Sequence, residues 1–111
     1  GSQCINTGGE KVYAEEVEGV LHGHPAVSDA LVVPVADEKY GQRVAAVVSI
    51  SEGAAEPTVE ELQEFCRESL AGYKVPRNIV FVDEVCRTPA GKADYKWAKQ
   101  AAETQVLGAV G

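Results

Sequence analysis

Residues 44–50 read Val-Ala-Ala-Val-Val-Ser-Ile, an almost continuous apolar run. Apolar and polar positions do not alternate, so the run predicts a strand covered on both faces. Residues 27–35 form a second apolar, β-branched stretch, followed by Asp37 and Glu38 in a polar loop. Asn78, Ile79, Val80, Phe81 and Val82 make a third predicted strand.

The flanking segments carry different signals. Cys4-Ile5 and Val12-Tyr13 read as two short strands joined by Thr7-Gly8-Gly9-Glu10, a hairpin turn. Residues 15–22 predict a helix, with Val17, Val20 and Leu21 on one face. Glu15 and Glu16 stand in its first turn, where the helix dipole favours acids, and Gly23 and Pro25 terminate it. Thr58, with Glu61 three residues on, is a capping box. Val59, Leu62, Phe65 and Cys66 then follow at helical spacing toward a core, and Gly72 is expected to end that helix. Residues 86–92 are a turn-rich loop and 94–104 a final amphipathic helix. Strands and helices mix without a long βαβ series, which favours an α+β fold. The expectation is a small two-layer domain with an N-terminal β-hairpin, a central sheet of about three strands and flanking helices. A chain of 111 residues is one domain by size. At that length it buries roughly two-thirds of its unfolded surface.

Charge narrows the function classes. The net charge of −7 speaks against general binding of nucleic acid or anionic membranes. The distribution is uneven: segment 67–99 holds seven bases against four acids, a net +3, so an anionic ligand could meet the C-terminal third. No apolar run approaches the ~20 residues of a membrane span. Cys4, Cys66 and Cys86 are odd in number and widely spaced. That argues against a disulfide framework or a zinc site and points to a reducing cytoplasm. Cys66 falls on the apolar helix face and is expected to be a small core residue. Met is absent, and Gly1-Ser2 is either a tag remnant or native sequence. The chain is expected to be a domain cut from something larger.

Three features could carry chemistry. Arg87-Thr88-Pro89-Ala90-Gly91-Lys92 combines a stiffening proline, a glycine free to take positive φ, and a lysine near the loop tip. Lysine is a compact, reorientable charge suited to reaching a phosphate. The loop is not a P-loop, which would need Gly at the position of Cys86 and Ser or Thr at Ala93. By itself such a loop is an ordinary turn. Gly8-Gly9 either lets a ligand approach the backbone or simply makes a tight hairpin. His22-Gly23-His24 has no acid or cysteine at a compelling ligand spacing, so a helix-end surface pair is expected and no metal.

Taken in order, these pieces form a pattern. Residues 5–18, Ile-Asn-Thr-Gly-Gly-Glu-Lys-Val-Tyr-Ala-Glu-Glu-Val-Glu, resemble the opening of the C-terminal domain of the adenylate-forming superfamily. That superfamily includes acyl-CoA synthetases, the adenylation domains of peptide synthetases, and luciferases. His24-Pro25-Ala26-Val27, Asp37-Glu38-Lys39-Tyr40-Gly41, Tyr73-Lys74-Val75-Pro76 and the 87–92 loop follow in the right order and spacing. The ending Gly91-Lys92-Ala93-Asp94-Tyr95-Lys96-Trp97-Ala98-Lys99 looks like the actinobacterial fatty-acid-CoA ligase branch.

The resemblance implies a mobile lid, with the large N-terminal domain that binds ATP, Mg²⁺ and a fatty acid or other carboxylate absent here. It implies that Lys92 is the catalytic lysine of acyl-adenylate formation, reaching the α-phosphate and carboxylate oxygen in one pose. In a second pose Lys92 withdraws, and Gly8, Gly9, Glu10 and Lys74 border the channel by which the CoA thiol arrives. Pro89 and Gly91 support the loop. The hinge, usually Asp or Lys, falls on Gln3 when counted back from Thr7-Gly8-Gly9. Ala14 stands where proline is common, which is expected to loosen the start of the first helix. Two rival readings remain: a non-catalytic α+β ligand-binding module, and the C-terminal subdomain of an aminoacyl-adenylating enzyme.

Overall fold

A computed structural model describes residues 3–110, with side chains through 106. Gly1 and Ser2 lie outside the described residues. The elements in order are β1 (Cys4–Thr7), β2 (Glu10–Tyr13), α1 (Ala14–His22), β3 (Val27–Asp37), β4 (Gly41–Ile50), α2 (Val59–Arg67), a 3-10 turn (Gly72–Lys74), β5 (Asn78–Val82) and α3 (Tyr95–Val110).

β4 is the centre of a single five-stranded sheet. It pairs antiparallel with β3 along its whole length, from Asp37↔Gly41 to Val27↔Ile50, with a bulge near Asp29. Its other edge is shared. β5 runs parallel to it over Ala45–Ser49, and β1 joins at Thr7↔Gly41, bringing the hairpin into the sheet. The expected central three strands are β3, β4 and β5, and the hairpin extends them. Among the described residues, β3 therefore has one edge without a strand partner.

Alternate residues of the sheet enter two separate cores. Ala30, Val32, Val44, Ala46 and Val48 pack with Ile5, Val12, Val17, Leu21, Leu62 and Cys66 beneath α1 and α2. Leu31, Val33, Val35, Ala45 and Val47 pack with Val85, Ala98 and Ala102 beneath α3. The run at 44–50 is thus covered on both faces, as its composition requires. The α+β class and flanking helices hold. The expected two layers become three, because a strand apolar on both sides needs a helix layer on each.

Local chemistry sets the helix ends. Thr58 Oγ1 accepts the Glu61 N–H at 3.0 Å, and Glu61 Oε1 accepts the Thr58 N–H at 3.2 Å, completing the capping box. Gly72 does not end α2, contrary to expectation. The helix stops at Arg67, and Cys66 O takes the N–H groups of Ser69 and Leu70 as Leu70 turns into the core. Gly72 opens the 3-10 turn instead. α3 runs from Tyr95 to Val110, longer than the predicted 94–104, with Asp94 Oδ1 accepting the Trp97 N–H at 3.0 Å. Nor does Ala14 loosen α1. It is fully buried, and its N–H donates to Gln3 O at 2.9 Å, a bond proline could not make.

Two substitutions in α2 should separate packing from capping. Leu62 is completely buried, so Leu62→Ala should lower unfolding free energy by about 3 kcal/mol. Thr58→Ala should lose about 1 kcal/mol. Urea unfolding of the two variants checks this; equal losses would show that the cap, not the core, holds α2 in place.

Candidate functional site

The hairpin turn is built from two glycines that both need positive φ, 59° at Gly8 and 86° at Gly9. Gly8 N–H donates to Tyr40 O at 2.9 Å, so the turn is tied to the β3–β4 connection. A side chain at Gly8 would meet Tyr40 Cδ1 at 3.2 Å, whereas one at Gly9 would enter open space. Gly8 and Glu10 line a cleft of ≈ 390 Å³ with Thr7, Tyr40, Tyr73 and Arg77.

Aromatic and cationic groups converge on this cleft. Tyr40 and Tyr73 are among the exposed large hydrophobic side chains. The Arg77 guanidinium lies 5.4 Å from the Tyr40 ring centre, and Lys39 Nζ lies 5.2 Å from it. Asp37 organises the rim. Its Oδ1 accepts the N–H groups of Lys39 and Tyr40, its Oδ2 accepts Arg43 Nε–H at 2.9 Å, and Arg77 Nη1 stands 3.6 Å away. The Tyr40 N–H, with those of Lys39 and Arg43, outweighs burial and holds the Asp37 carboxyl below the usual range.

Lys74 does not line the cleft. Its Nζ is 2.7 Å from Glu16, which holds the ammonium above the ordinary lysine range. Gln3 enters the structure just ahead of β1, its carbonyl bonded to Ala14.

The Lys92 loop lies elsewhere. An Arg87↔Ala93 bridge closes its base. Thr88 N–H donates to Lys92 O and Gly91 N–H to Thr88 O, both at 2.8 Å, and Thr88 Oγ1 accepts the Lys92 N–H. Gly91 takes φ 82°, the freedom expected of it, while Pro89 is exposed beside it. Lys92 is exposed and makes no ion pair among the described residues.

Arg87 pins this loop to the start of β3 through a two-pronged bond to Asp29, Nη2 to Oδ2 at 2.8 Å and Nε to Oδ2 at 3.2 Å. The hairpin meets the far end of β3, where Asp37 pairs with Gly41. At 3.3 Å per residue those ends are about 26 Å apart. The structure therefore gathers Gly8, Glu10, Tyr40, Tyr73 and Arg77 at one end and leaves Lys92 at the other.

The histidines have structural partners. His22 Nε2 lies 3.0 Å from Asp29 Oδ1. His24 Nδ1 accepts the Ala26 N–H, and its ring stands edge-on to Phe65 at 5.0 Å. Cys66 is buried, and burial pushes its thiol up to about 11. No helix among the described residues is long and apolar enough to cross a membrane.

Sequence reasoning missed Tyr40, Tyr73 and Arg77 as cleft residues, although two of its motif segments contain the tyrosines. It also missed Asp29 and Glu18. Burial pushes the Asp29 carboxyl up, but hydrogen bonds from His22 and Arg87 outweigh it and hold the group below the usual range. Because Asp29 is easier to ionise when folded, its stabilisation is fully present above the unfolded value of 3.8 and fades as pH falls through the lower folded value. Asp29→Asn should therefore cost about 1 kcal/mol near neutrality, and the gap to the unmodified chain should narrow below pH 3.8. Urea unfolding at matched pH values tests it; a gap that widens in acid would show the carboxylate is not stabilising.

Comparison with known proteins places the chain among relatives. The family model for the AMP-binding enzyme C-terminal domain matches residues 16–92. A medium/long-chain-fatty-acid--CoA/3-oxocholest-4-en-26-oate--CoA ligase of Mycobacterium tuberculosis is 60% identical over 105 residues, 95% of this chain and 19% of the relative. A 3-oxocholest-4-en-26-oate--CoA ligase of Rhodococcus rhodochrous is 61% identical over 99 residues, 89% of this chain and 18% of the relative. Among solved structures, a Mycobacterium tuberculosis fatty acyl CoA synthetase superposes with a TM-score of 0.84 at 33% identity, covering 93% of this chain and 20% of that one. The chain thus spans about a fifth of the length of the relatives it matches.

Proposed function

The chain belongs to the family of AMP-binding enzyme C-terminal domains, and from that premise we propose that it is the mobile C-terminal domain of an ATP-dependent acyl-CoA ligase. The observation that carries this reading is the separation of the Lys92 loop from the Gly8-Gly9 turn, at opposite ends of β3. Lys92 is exposed on an internally stitched loop near Asp29, and the Gly8-Gly9 turn with its aromatic cleft lies at the opposite end of β3. One active centre cannot use both at once, so the domain presents them in turn, pivoting about Gln3.

In the first presentation Lys92 faces the reacting phosphate. A carboxylate oxygen attacks the α-phosphorus of ATP and pyrophosphate leaves. The ammonium stabilises charge that grows on the phosphoryl and carboxylate oxygens. In the second, the hairpin borders the thiol channel. The thiol sulfur attacks the acyl carbonyl carbon, the thiol proton is lost, and AMP departs. The chemistry of the cleft suits CoA: open glycine backbone for the pantetheine arm, tyrosine faces for an adenine, and Arg77 for phosphate.

ATP, Mg²⁺ and the acyl group are assigned to the large N-terminal domain, which is this domain's partner. The names of the relatives favour a fatty or steroid side-chain carboxylate. The three free cysteines support a reducing, cytoplasmic setting.

In the full-length ligase, Lys92→Ala should slow adenylation by about 10²–10³ and largely spare thioester formation from supplied acyl-adenylate. ATP–pyrophosphate exchange measures the first step. Lys96, exposed on α3, is the control, and its alanine variant should lose far less. Near-normal exchange by Lys92→Ala, or equal damage from Lys96→Ala, would remove Lys92 from the reaction.

The hairpin predicts the converse. Gly9→Leu adds a side chain in open space, so its folding cost is confined to left-handed backbone strain of about 1–2 kcal/mol. It should block thioester formation while adenylation persists. Loss of both half-reactions in parallel would place the hairpin outside the thiol path.

A further inference from the structure

The internal hydrogen bonds of the 87–93 loop fix its shape but not its direction. Its aim depends on what holds the two stems. Val85 anchors the approach within the α3-side core. Beyond that, each stem is gripped by a carboxylate from the N-terminal half.

On the incoming stem, Arg87 Nη2 donates to both Asp29 oxygens at 2.9 and 2.8 Å, and Arg87 Nε to Oδ2. On the outgoing stem, Tyr95 Oη donates to Glu18, 2.9 Å from Oε2 and 3.1 Å from Oε1. Both acids also serve the free edge of β3. Asp29 Oδ1 accepts the Ala30 N–H and Glu18 Oε2 the Val32 N–H, each at 2.9 Å. Ala30 and Val32 are two residues apart, so their N–H groups point the same way, off the edge opposite β4. The acids are therefore seated by the strand itself, and Glu18 is almost wholly buried there. A carboxylate fixed by a ladder N–H on one side and a loop side chain on the other transmits the position of the sheet to the loop.

We propose that Asp29 and Glu18 are positioning residues for adenylation: a two-point clamp from the free edge of β3 that aims Lys92 by holding Arg87 and Tyr95. This rests on the reading of Lys92 as the adenylation lysine. A misplacement of about 1 Å can cost on the order of 10²-fold in rate, and Lys92 sits five residues beyond one grip and three before the other.

The test uses the full-length ligase, with the two half-reactions assayed separately and a thermal melt recorded for each variant. Asp29→Asn keeps an acceptor for the Ala30 N–H but removes the charge that draws Arg87. Tyr95→Phe keeps the ring and removes only the grip on Glu18. Each should lower pyrophosphate exchange roughly ten- to hundredfold and change thioester formation from supplied acyl-adenylate by less than about twofold. Asp29→Glu should recover part of the exchange. Combined with Lys92→Ala, either variant should cause no further loss, because a clamp has nothing to aim once the lysine is gone. Equal losses in both half-reactions, or losses that simply add to those of Lys92→Ala, would mean the acids support folding only and would overturn the proposal. So would unchanged exchange in Asp29→Asn and Tyr95→Phe while Lys92→Ala is impaired. If Lys92→Ala itself exchanges normally, the underlying assignment of Lys92 fails, and the clamp proposal with it.

Discussion

A central strand with no polar face imposes most of this structure. β4 presents Val44, Ala46 and Val48 to one side and Ala45 and Val47 to the other, all essentially buried. Each side must be covered, so α1 and α2 close one face and α3 the other. Its edges must also be paired, and β3 on one side with β5 and β1 on the other complete that requirement. The remaining problem moves outward to β3, whose far edge has unpaired N–H groups. A bare edge invites another strand, and a buried N–H left without an acceptor costs about 1–3 kcal/mol. Glu18 and Asp29 supply acceptors to two of these N–H groups, those of Val32 and Ala30.

The same geometry separates the Gly8-Gly9 hairpin from the Lys92 loop. β3 and β4 are a long, fully paired ladder that runs between them. The hairpin is tied to the far end by Gly8 N–H and by the single pairing at Gly41. The Lys92 loop is tied to the near end by Arg87. A paired ladder bends little, so under the proposed function a change in which end faces a substrate would come from rotation of the whole domain rather than from internal rearrangement. The short loops and internal hydrogen bonds at each end fit that role, since neither has to reshape itself.

Much of this was legible in the sequence, and the reasons for the gaps are physical. The capping box at Thr58 depends on residues three apart, so it reads directly. The two-sided cover of 44–50 reads from composition. The Gly8-Gly9 turn and the positive φ of Gly91 follow from the residue type. What did not read depends on contacts distant in sequence. Glu18 and Tyr95 are 77 positions apart, and Asp29 and Arg87 are 58 apart. In sequence each is one surface-type residue among many, and Glu18 even occupies a polar position of an otherwise amphipathic helix. Gly72 reads in the sequence as the stop of α2, but the helix ends at Arg67. The burial of Leu70 turns the chain earlier, before Gly72 is reached.

Charge counted along the sequence also changes meaning once the fold is known. The net +3 of segment 67–99 suggests a broadly basic surface. Four of its seven bases are engaged: Arg67 by Glu64, Lys74 by Glu16, Arg77 by Asp37 and Arg87 by Asp29. The three without an ion pair among the described residues are Lys92, Lys96 and Lys99, all on the stitched loop or the start of α3. The acids of the N-terminal half therefore do not only lower the net charge. They engage Lys74, Arg77 and Arg87, which leaves Lys92, Lys96 and Lys99 without an ion pair at one end and Lys11 and Lys39 without one near the hairpin and cleft, among the described residues. An exposed ammonium polarises a phosphate best where no neighbouring carboxylate competes for it. Asp29 is occupied with Arg87 and His22, and Glu18 with Tyr95 and the backbone of β3, while Lys92 makes no ion pair among the described residues.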